Sequence, residues 1–254
     1  MAVRNKNKII RNKRIKYVFI DDVFNKNEFY WAKKLKDIDT LIHLAWDINS
    51  NDYLNSQENI KCLRGSIDIA LGAKMAGVKK FYGFGTCFEY KQTNKTLHEN
   101  SQLSSFNLYS SCKLSLYLIL NDIFKNNITS FTWIRIFFLY GEDQPSNKLY
   151  PYIKDNIKNK RKIKLSNPNY IRDYLNINTA CAYLIAIFKG PYVPLINLSS
   201  GKGIKIVDFI KNEFGKRNLD KYIIFLNTEY RKNEPLKVLG SNKILKKILK
   251  TKLN

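Results

Sequence analysis

The sequence predicts an α/β fold built on a doubly wound parallel sheet, and two observations carry this prediction. Apolar runs without alternation, such as 39–45 and 78–85, are typical of strands that are buried on both faces of a parallel sheet. Longer segments with helical spacing of their apolar residues, such as 55–77 and 109–124, lie between such runs. Because strands and helices take turns along the chain, we expect strand–helix–strand units.

The remaining elements follow from local signals. Residues 1–16 are basic and polar, so we expect a weakly structured start. Gly77 and the pair Asn126–Asn127 are typical helix stops. The other predicted strands cover 17–20, 129–140, 195–198 and 221–226, and the other predicted helices cover 24–36, 178–189, 206–214 and 244–249.

Length and charge limit the classes of protein to which the chain can belong. Its 254 residues, of which 44% are hydrophobic, suffice for one main core with a small appended lobe. A net charge of +23 would ordinarily indicate nucleic acid or an anionic membrane as the partner. The basic residues are spread along the chain without a localised stripe, so we expect neither partner. What remains is a positive field that favours anionic small ligands.

The cysteines and the apolar runs indicate a cytoplasmic protein. The four cysteines, at positions 62, 87, 112 and 181, show no paired spacing and no metal-binding grouping with the two histidines. We therefore expect reduced thiols and no metal site. No apolar run approaches the ~18 residues of a membrane span. The apolar run 17–20 after the basic start is too short for a signal peptide.

Three side chains form the candidate catalytic group. Thr86 ends a strand, and Tyr109 and Lys113 lie one helical turn apart near the start of a helix. A free phenol has a pKa near ~10, and an adjacent ammonium lowers that pKa, so Tyr109 could exchange a proton with a substrate alcohol or carbonyl. The alternative is structural: Tyr109 and Lys113 would be surface residues of an amphipathic helix, and Thr86 a cap.

The order of these motifs resembles a known family. Gly-Thr-Cys-Phe-Glu-Tyr at 85–90 after a strand, followed by Tyr-Ser-Ser-Cys-Lys at 109–113, resembles the extended short-chain dehydrogenases/reductases, the NAD-dependent nucleotide-sugar epimerases, dehydratases and reductases. The resemblance implies a Rossmann-like dinucleotide-binding domain over 1–150 and a substrate-binding lobe over 151–254, interleaved with it. It also implies that Thr86, Tyr109 and Lys113 are catalytic and that the cofactor is NAD or NADP.

Further matches imply the cofactor-binding residues. Asp22 follows the strand 17–20 as the family's adenine-contacting Asp does. The strand 39–45 resembles the family's Asp-x-x-Ile-His-x-Ala strand, whose end, Leu44 and Ala45 here, packs beside the ribose and nicotinamide. Phe137 falls in a segment that resembles Arg-x-Phe-Asn-x-Tyr-Gly-Pro. Tyr109 and Lys113 are implied to touch the cofactor as well. We expect His43 to be a core residue with a satisfied hydrogen bond.

The resemblance also implies substrate-binding residues. Thr86 would hold the reacting sugar oxygen. Arg172, in Arg-Asp-Tyr, would bind the nucleotide diphosphate, for which the bidentate guanidinium is suited. An equally weighted alternative is that Arg172 forms a structural bridge with Asp173 or a nearby carboxylate. Arg231 would close over the nucleotide from an Arg-x-x-Glu-Pro loop.

Three departures from the family pattern stand out. The Gly-rich turn that holds the cofactor pyrophosphate is missing, because the first glycine is Gly65. Cys62 stands where the family usually has an Asn, and Phe138 where it has another. We therefore expect a parallel sheet that lacks its first β-α unit, as in a shortened reading frame, with reduced cofactor affinity.

Several functions remain open at this point. The sequence around Thr86 resembles that of reductases that make deoxysugars for cell-surface polysaccharide. These reductases act at C4 of a nucleotide-linked sugar. A nucleotide-sugar 4-epimerase would use the same residues, and a non-catalytic sugar-nucleotide-binding protein is a further alternative. Dehydration is disfavoured because Cys87 and Phe88 occupy the positions of the dehydratases' acid pair. We expect a homodimer through the helices that contain Asn55 and Tyr109, and no nucleic-acid role.

Overall fold

The computed structural model describes residues 1–4, 12–49, 52–215, 222–226 and 235–251. Its α-helices are α1 (Glu28–Lys34), α2 (Glu58–Met75), α3 (Leu108–Phe124), α4 (Leu149–Lys158), α5 (Ile177–Lys189), α6 (Ile206–Phe214) and α7 (Lys243–Lys250).

Strands alternate with these helices along the described chain. They are β1 (Ala2–Val3), β2 (Val18–Phe19), β3 (Thr40–His43), β4 (Lys80–Thr86), β5 (Thr96–Leu97), β6 (Ser130–Ile136), β7 (Phe138–Tyr140), β8 (Ile163–Ser166), β9 (Ile171–Arg172), β10 (Tyr174–Asn176), β11 (Leu195–Leu198), β12 (Ile204–Lys205), β13 (Ile223–Leu226) and β14 (Lys237–Gly240). The predicted α/β class is confirmed.

The described chain divides into two compact units, each made of two segments. The first unit comprises Met1–Phe84 and Phe106–Trp133, and the second comprises Gly85–Ser105 and Ile134–Asn254. This division differs from the expected boundary at residue 150, because β4 and β6 each run from the first unit into the second.

Parallel pairing organises the first unit. Strand β3 pairs with β4 in parallel, with Thr40 opposite Lys80, and β6 follows on the other side of β4. Strand β1 pairs with β2 in parallel, Ala2 opposite Val18. The expectation of a weakly structured start is therefore wrong for Ala2 and Val3. A strand of two residues is too short to leave a readable sequence pattern.

Two glycines let helix α1 and the loop before it approach α2 closely. A Cβ atom at Gly72 would lie 2.4 Å from the Cβ of Trp31, and one at Gly65 would lie 2.4 Å from the Cα of Phe24. The indole of Trp31 is buried in this contact. The helix starts at Glu28 rather than at the predicted residue 24 because the Asn27 side chain caps it, accepting from the backbone N–H of Tyr30 at 3.0 Å.

Mixed pairing organises the second unit. Strands β7 and β10 pair in parallel, as do β8 and β13, and a four-stranded sheet has the order β12, β9, β14, β5. The predicted strand 129–140 is two strands, because after Phe137 the chain pairs with a new partner, Phe138 lying opposite Tyr174. Among the described residues of this unit, one apolar cluster lies around Ile153 and Phe209 and another around Phe137.

Candidate functional site

Helix α3 places Tyr109 and Lys113 near its first turn. The Asn107 side chain accepts from the backbone N–H of Ser110 at 2.8 Å, and the Ser110 hydroxyl accepts from the N–H of Asn107, which forms a capping box. The backbone N–H of Tyr109 donates to the carbonyl of Leu54 at 2.8 Å. The helix start is therefore fixed both by its own cap and by the loop that precedes α2.

Lys113 is buried at the end of strand β4. Its ammonium donates to the backbone carbonyl of Phe84 at 2.8 Å and lies 3.8 Å from the ring centroid of Trp46. A cation over an indole face is a favourable contact that strengthens with desolvation, and the Lys113 side chain is almost entirely buried. The structural alternative, in which Lys113 is a surface residue of an amphipathic helix, does not fit this burial.

Tyr109 is half-buried against two aromatic rings. Its ring makes edge contacts with Trp46, at a centroid distance of 6.2 Å, and with Tyr53, at 5.4 Å. Trp46 therefore contacts both Tyr109 and Lys113. The two side chains one turn apart on α3 share one aromatic neighbour, which fixes how each of them can move.

Asn59 holds this aromatic neighbour in place, and sequence reasoning missed it. The Asn59 side chain is fully buried and accepts from the indole N–H of Trp46 at 2.8 Å. Its amide nitrogen donates to the backbone carbonyls of Tyr53 at 2.6 Å and Ser56 at 2.9 Å. Asn59 thus ties Trp46 and the loop around Tyr53 to helix α2. The sequence signal for Asn59 is its position near the start of a helix, one turn before Cys62.

His43 and Cys62 are core residues of the first unit. A ring nitrogen of His43 lies 2.8 Å from the hydroxyl of Ser66, as expected for a satisfied core histidine. Burial, with a smaller contribution from Lys113, lowers the pKa of His43 to about 3. The Cys62 thiol accepts from the backbone N–H of Asp47 at 3.3 Å, and burial raises the pKa of that thiol to about 11. Both groups are neutral at physiological pH.

A cavity of about 270 Å³ lies where strands β1, β2 and β3 end in the first unit. Asp22 and Ala45, two of the predicted cofactor-binding residues, line it, whereas Leu44 does not and is exposed. Asp22 accepts from the ammonium of Lys61 at 2.5 Å and from the backbone N–H of Phe24 at 2.9 Å. The hydrogen bond from Lys61 holds the pKa of Asp22 below its usual value.

Carboxylates outnumber cations around the cavity. Its charged lining residues are Arg4, Asp21, Asp22, Asp47, Glu58 and Lys61. Both cations already face carboxylates, since Lys61 pairs with Asp22 and Arg4 lies 3.8 Å from Asp47. Carboxylates suit ribose hydroxyls, and the volume lies just below the roughly 300–1,000 Å³ of ligand pockets. The cavity thus fits the adenosine end of a dinucleotide, not the whole molecule.

Thr86 begins a short, buried turn in the second unit. The backbone N–H of Thr86 donates to a carboxylate oxygen of Glu89 at 2.8 Å, and the Thr86 hydroxyl oxygen accepts from the N–H of Phe88 at 3.3 Å. The other carboxylate oxygen of Glu89 accepts from Arg135 Nε at 2.7 Å. Glu89 and Arg135 are both fully buried. This ion pair, which sequence reasoning missed, fixes the turn that carries Thr86.

Tyr90 extends this network through the second unit. The Arg135 guanidinium lies 4.5 Å from the Tyr90 ring centroid, and the Tyr90 hydroxyl donates to the Asn197 side chain at 2.7 Å. Asn197 in turn donates to the backbone carbonyl of Leu97 at 3.1 Å. The Glu-Tyr pair of the motif thus belongs to the core. Its separation from Arg135 in sequence explains why no local pattern indicates the contact.

Arg172 has a backbone-rich environment in the second unit. Its guanidinium donates to the carbonyls of Ile171, Pro235 and Leu236 and lies 4.6 Å from the Tyr170 ring centroid. The neighbouring Asp173 carboxylate accepts from the backbone N–H groups of Ser200, Gly201 and Gly240. The role of Arg172 towards a diphosphate stays a prediction.

The remaining predicted residues are placed as follows. Phe137, predicted to touch the cofactor, is buried in the core cluster of the second unit with Leu97 and Val238. Its cofactor role stays a prediction. Arg231 lies outside the described residues.

Comparison with known proteins identifies the family. The model of the NAD dependent epimerase/dehydratase family matches residues 4–192, which is most of the chain. The chain therefore belongs to this family. No curated protein sequence matches it.

Solved structures with similar folds include both dehydratases and epimerases. A dTDP-glucose 4,6-dehydratase from Streptomyces venezuelae is 15% identical with a TM-score of 0.78, and the match covers 92% of this chain and 74% of that one. A UDP-N-acetylglucosamine 4-epimerase from Methanobrevibacter ruminantium is 19% identical with a TM-score of 0.78, over 91% and 76%. A UDP-glucuronic acid 4-epimerase from Bacillus cereus, in complex with UDP-glucuronic acid and NAD, is 19% identical with a TM-score of 0.75, over 94% and 76%. These likenesses confirm the Rossmann-like fold class.

The described residues contain neither a membrane-spanning helix nor a cluster of metal ligands. No helix among them combines the length and the apolar character that a bilayer span requires. Within the same residues, no three His, Cys, Asp or Glu side chains come together as metal ligands would.

Proposed function

We propose that the chain is an NAD-dependent enzyme that reduces C4 of a nucleotide-linked sugar. One observation carries the proposal: Tyr109 and the buried ammonium of Lys113 lie on the first turns of one helix and share Trp46 as a neighbour. The pair has the residue types that proton exchange with a sugar oxygen needs. Membership of the NAD dependent epimerase/dehydratase family supports this chemistry.

Each residue of the first unit has a distinct task in this proposal. Tyr109 gives its phenolic proton to the C4 oxygen as that oxygen gains negative charge. The positive charge of Lys113 stabilises the phenolate that Tyr109 becomes. Bound NADH would supply the hydride to C4.

The cavity at the ends of β1, β2 and β3 would hold the adenosine end of the cofactor. Asp21 and Asp22 would accept hydrogen bonds from the ribose hydroxyls, and Arg4 and Lys61 are the cations that would face its phosphates. The excess of carboxylates favours NAD over NADP, because a further phosphate on the ribose would meet like charge.

Thr86 and Arg172 belong to the proposal through the resemblance alone. Thr86 would orient the sugar carbonyl with its hydroxyl, whose oxygen accepts from Phe88 N–H in the structure. Arg172 would bind the nucleotide diphosphate. A homodimer, a cytoplasmic location and a role in cell-surface polysaccharide synthesis likewise stay predictions.

A reductase assay tests the proposal. The absorbance of NADH is followed at saturating 4-keto-6-deoxy nucleotide sugar for the wild type, Tyr109→Phe and the matched control Tyr117→Phe. Tyr117 lies on the same helix and packs against Trp133. We expect turnover in the wild type and in the control, and a loss of roughly 10²–10⁴-fold in Tyr109→Phe. Equal rates in all three proteins would refute the role of Tyr109.

The amount of NADH consumed per sugar distinguishes a 4-epimerase from a reductase. A 4-epimerase returns the hydride to its substrate, so the sugar would be interconverted without net loss of NADH. If the wild type interconverts C4 epimers of a UDP-sugar and consumes no NADH, the epimerase is the correct assignment. Both outcomes require Tyr109.

A non-catalytic sugar-nucleotide-binding protein is favoured by one observation. The Lys113 ammonium already donates to Phe84 and faces Trp46, and Cys62 replaces the family's usual Asn. In that case, calorimetry would show the same sugar-nucleotide affinity for the wild type and Tyr109→Phe, and neither would turn over substrate.

A further inference from the structure

Trp46 lies between two places in the first unit that a bound dinucleotide would have to contact, the cavity and the Tyr109–Lys113 pair. It lines the cavity at the ends of β1, β2 and β3, and it contacts both Tyr109 and Lys113. Tyr109 and Lys113 are not among the described residues that line the cavity. The cavity and the Tyr109–Lys113 pair therefore meet at Trp46 and not directly.

The position of Trp46 is held from three directions. The indole N–H donates to the buried side chain of Asn59, the ring face receives the Lys113 ammonium, and the ring edge meets Tyr109. Asn59 is itself fixed by the carbonyls of Tyr53 and Ser56. Moving the indole breaks a hydrogen bond to a buried group and uncovers a desolvated cation, so the observed arrangement resists displacement.

The cavity alone is too small for a whole dinucleotide. Its volume of about 270 Å³ suits a nucleoside with part of its phosphates. Its carboxylates suit a ribose diol, whereas the described lining includes no residue of the Tyr109–Lys113 pair that the nicotinamide would have to reach.

We infer that Trp46 is a specificity-determining residue that separates the adenosine cavity from the Tyr109–Lys113 pair. The cavity accepts an adenine nucleotide with Trp46 in place, and Trp46 has to leave Lys113 before the nicotinamide end of NAD can reach Tyr109. This inference rests on the proposed function, because it takes the cavity to be the adenosine site.

The inference predicts a pattern of affinities. In the wild type, the cost of displacing the indole offsets the contacts that the nicotinamide gains, so NAD and ADP-ribose bind within about twofold of each other. A ligand that binds only a rarely populated conformation binds with reduced affinity. If NAD needs the conformation in which the indole has left Lys113, then removing the indole raises the affinity for NAD. We expect the ratio of NAD affinity to ADP-ribose affinity to be about tenfold higher in Trp46→Ala than in the wild type, because both probes lose the same cavity wall and only NAD is relieved of displacing the indole.

Calorimetry on the full chain tests this pattern with ADP-ribose and NAD as probes. The proteins are the wild type, Trp46→Ala, and Phe29→Ala as a control in which an exposed aromatic ring of the same unit is removed. The control should bind both probes like the wild type. The wild type also gives a readout that needs no variant. NAD, unlike ADP-ribose, should make one tryptophan more accessible to acrylamide quenching.

The outcomes separate this inference from the proposed function. In one outcome, the wild type binds NAD at least ten times more tightly than ADP-ribose, and this difference is lost in Trp46→Ala. That result would overturn the inference and leave the proposed function intact. Unchanged affinity for both probes in Trp46→Ala, or unchanged quenching with NAD, would also overturn it. Failure of the wild type to bind either probe would overturn both.

Discussion

Replacing Glu89 by Gln tests how the second unit holds the turn that carries Thr86. Glu89 and Arg135 are both fully buried, and their contact is 2.7 Å long. Gln keeps the shape of the side chain and an acceptor for the Thr86 N–H, but it leaves the Arg135 charge buried without its counter-charge. Removing one partner of such a pair costs about 3–5 kcal/mol. That is a large part of the ~5–15 kcal/mol by which a domain is stable.

Urea unfolding, followed by far-UV circular dichroism, gives the free energy of unfolding. With an m-value of about 2 kcal/mol/M, the expected loss shifts the midpoint down by about 1.5–2.5 M. The matched control is Glu142→Gln, because Glu142 pairs with Lys154 at 2.6 Å but both side chains are more than half exposed. Such exposed pairs contribute about 1 kcal/mol or less.

The double variant Glu89→Gln/Arg135→Met completes the test. Because no charge is then left buried, we expect it to be less destabilised than the sum of its two single variants by about 2 kcal/mol. The reasoning fails if Glu89→Gln costs no more than Glu142→Gln, or if the double variant shows simple additivity.

Three further predictions concern the first unit, Cys181 and pH. Gly72→Ala should lower the free energy of unfolding by about 1–3 kcal/mol in thermal melts, because its Cβ would collide with Trp31, and a neutral result would contradict this contact. The folded-state pKa of His43, about 3, lies below the unfolded value of ~6.5, so stability is lost as pH falls through that interval. Between pH 7.5 and pH 5 the wild type should therefore lose about 2 kcal/mol more than His43→Gln, and equal losses would refute this. Cys181 is exposed whereas burial raises the pKa of Cys62 to about 11, so a thiol reagent should modify one cysteine quickly, and Cys181→Ser should remove that fast phase.

Local signals predicted each described helix except α4 and missed several of the short strands, such as β5 and β9. Asn107 and Ser110 cap the helix that begins at Leu108, within a residue of its predicted start, and Gly77, with φ of 73°, ends α2 as expected. Such ends depend on a few adjacent residues, which the sequence displays directly.

Contacts between distant segments could not be predicted in this way. The break between β6 and β7 occurs inside a continuous apolar run, where nothing local tells that Phe138 pairs with Tyr174. The hydrogen bond from Trp46 to Asn59 and the ion pair between Glu89 and Arg135 depend on where loops return, not on spacing. The resemblance indicated which residue types matter, whereas the contacts that hold those residues in place, such as the one between Trp46 and Asn59, are seen only in the structure.

The course of strands β4 and β6 limits how this protein can be taken apart. Because each unit is built from two segments of the chain, a single cut between residues always divides at least one of the two units. Residues 1–133 contain all of the first unit but also 85–105 of the second, and 134–254 alone lack that segment, so a single protease cut could not release both units intact. Gene fusion or domain shuffling at one point in the chain therefore could not transfer the two units as separate, complete pieces.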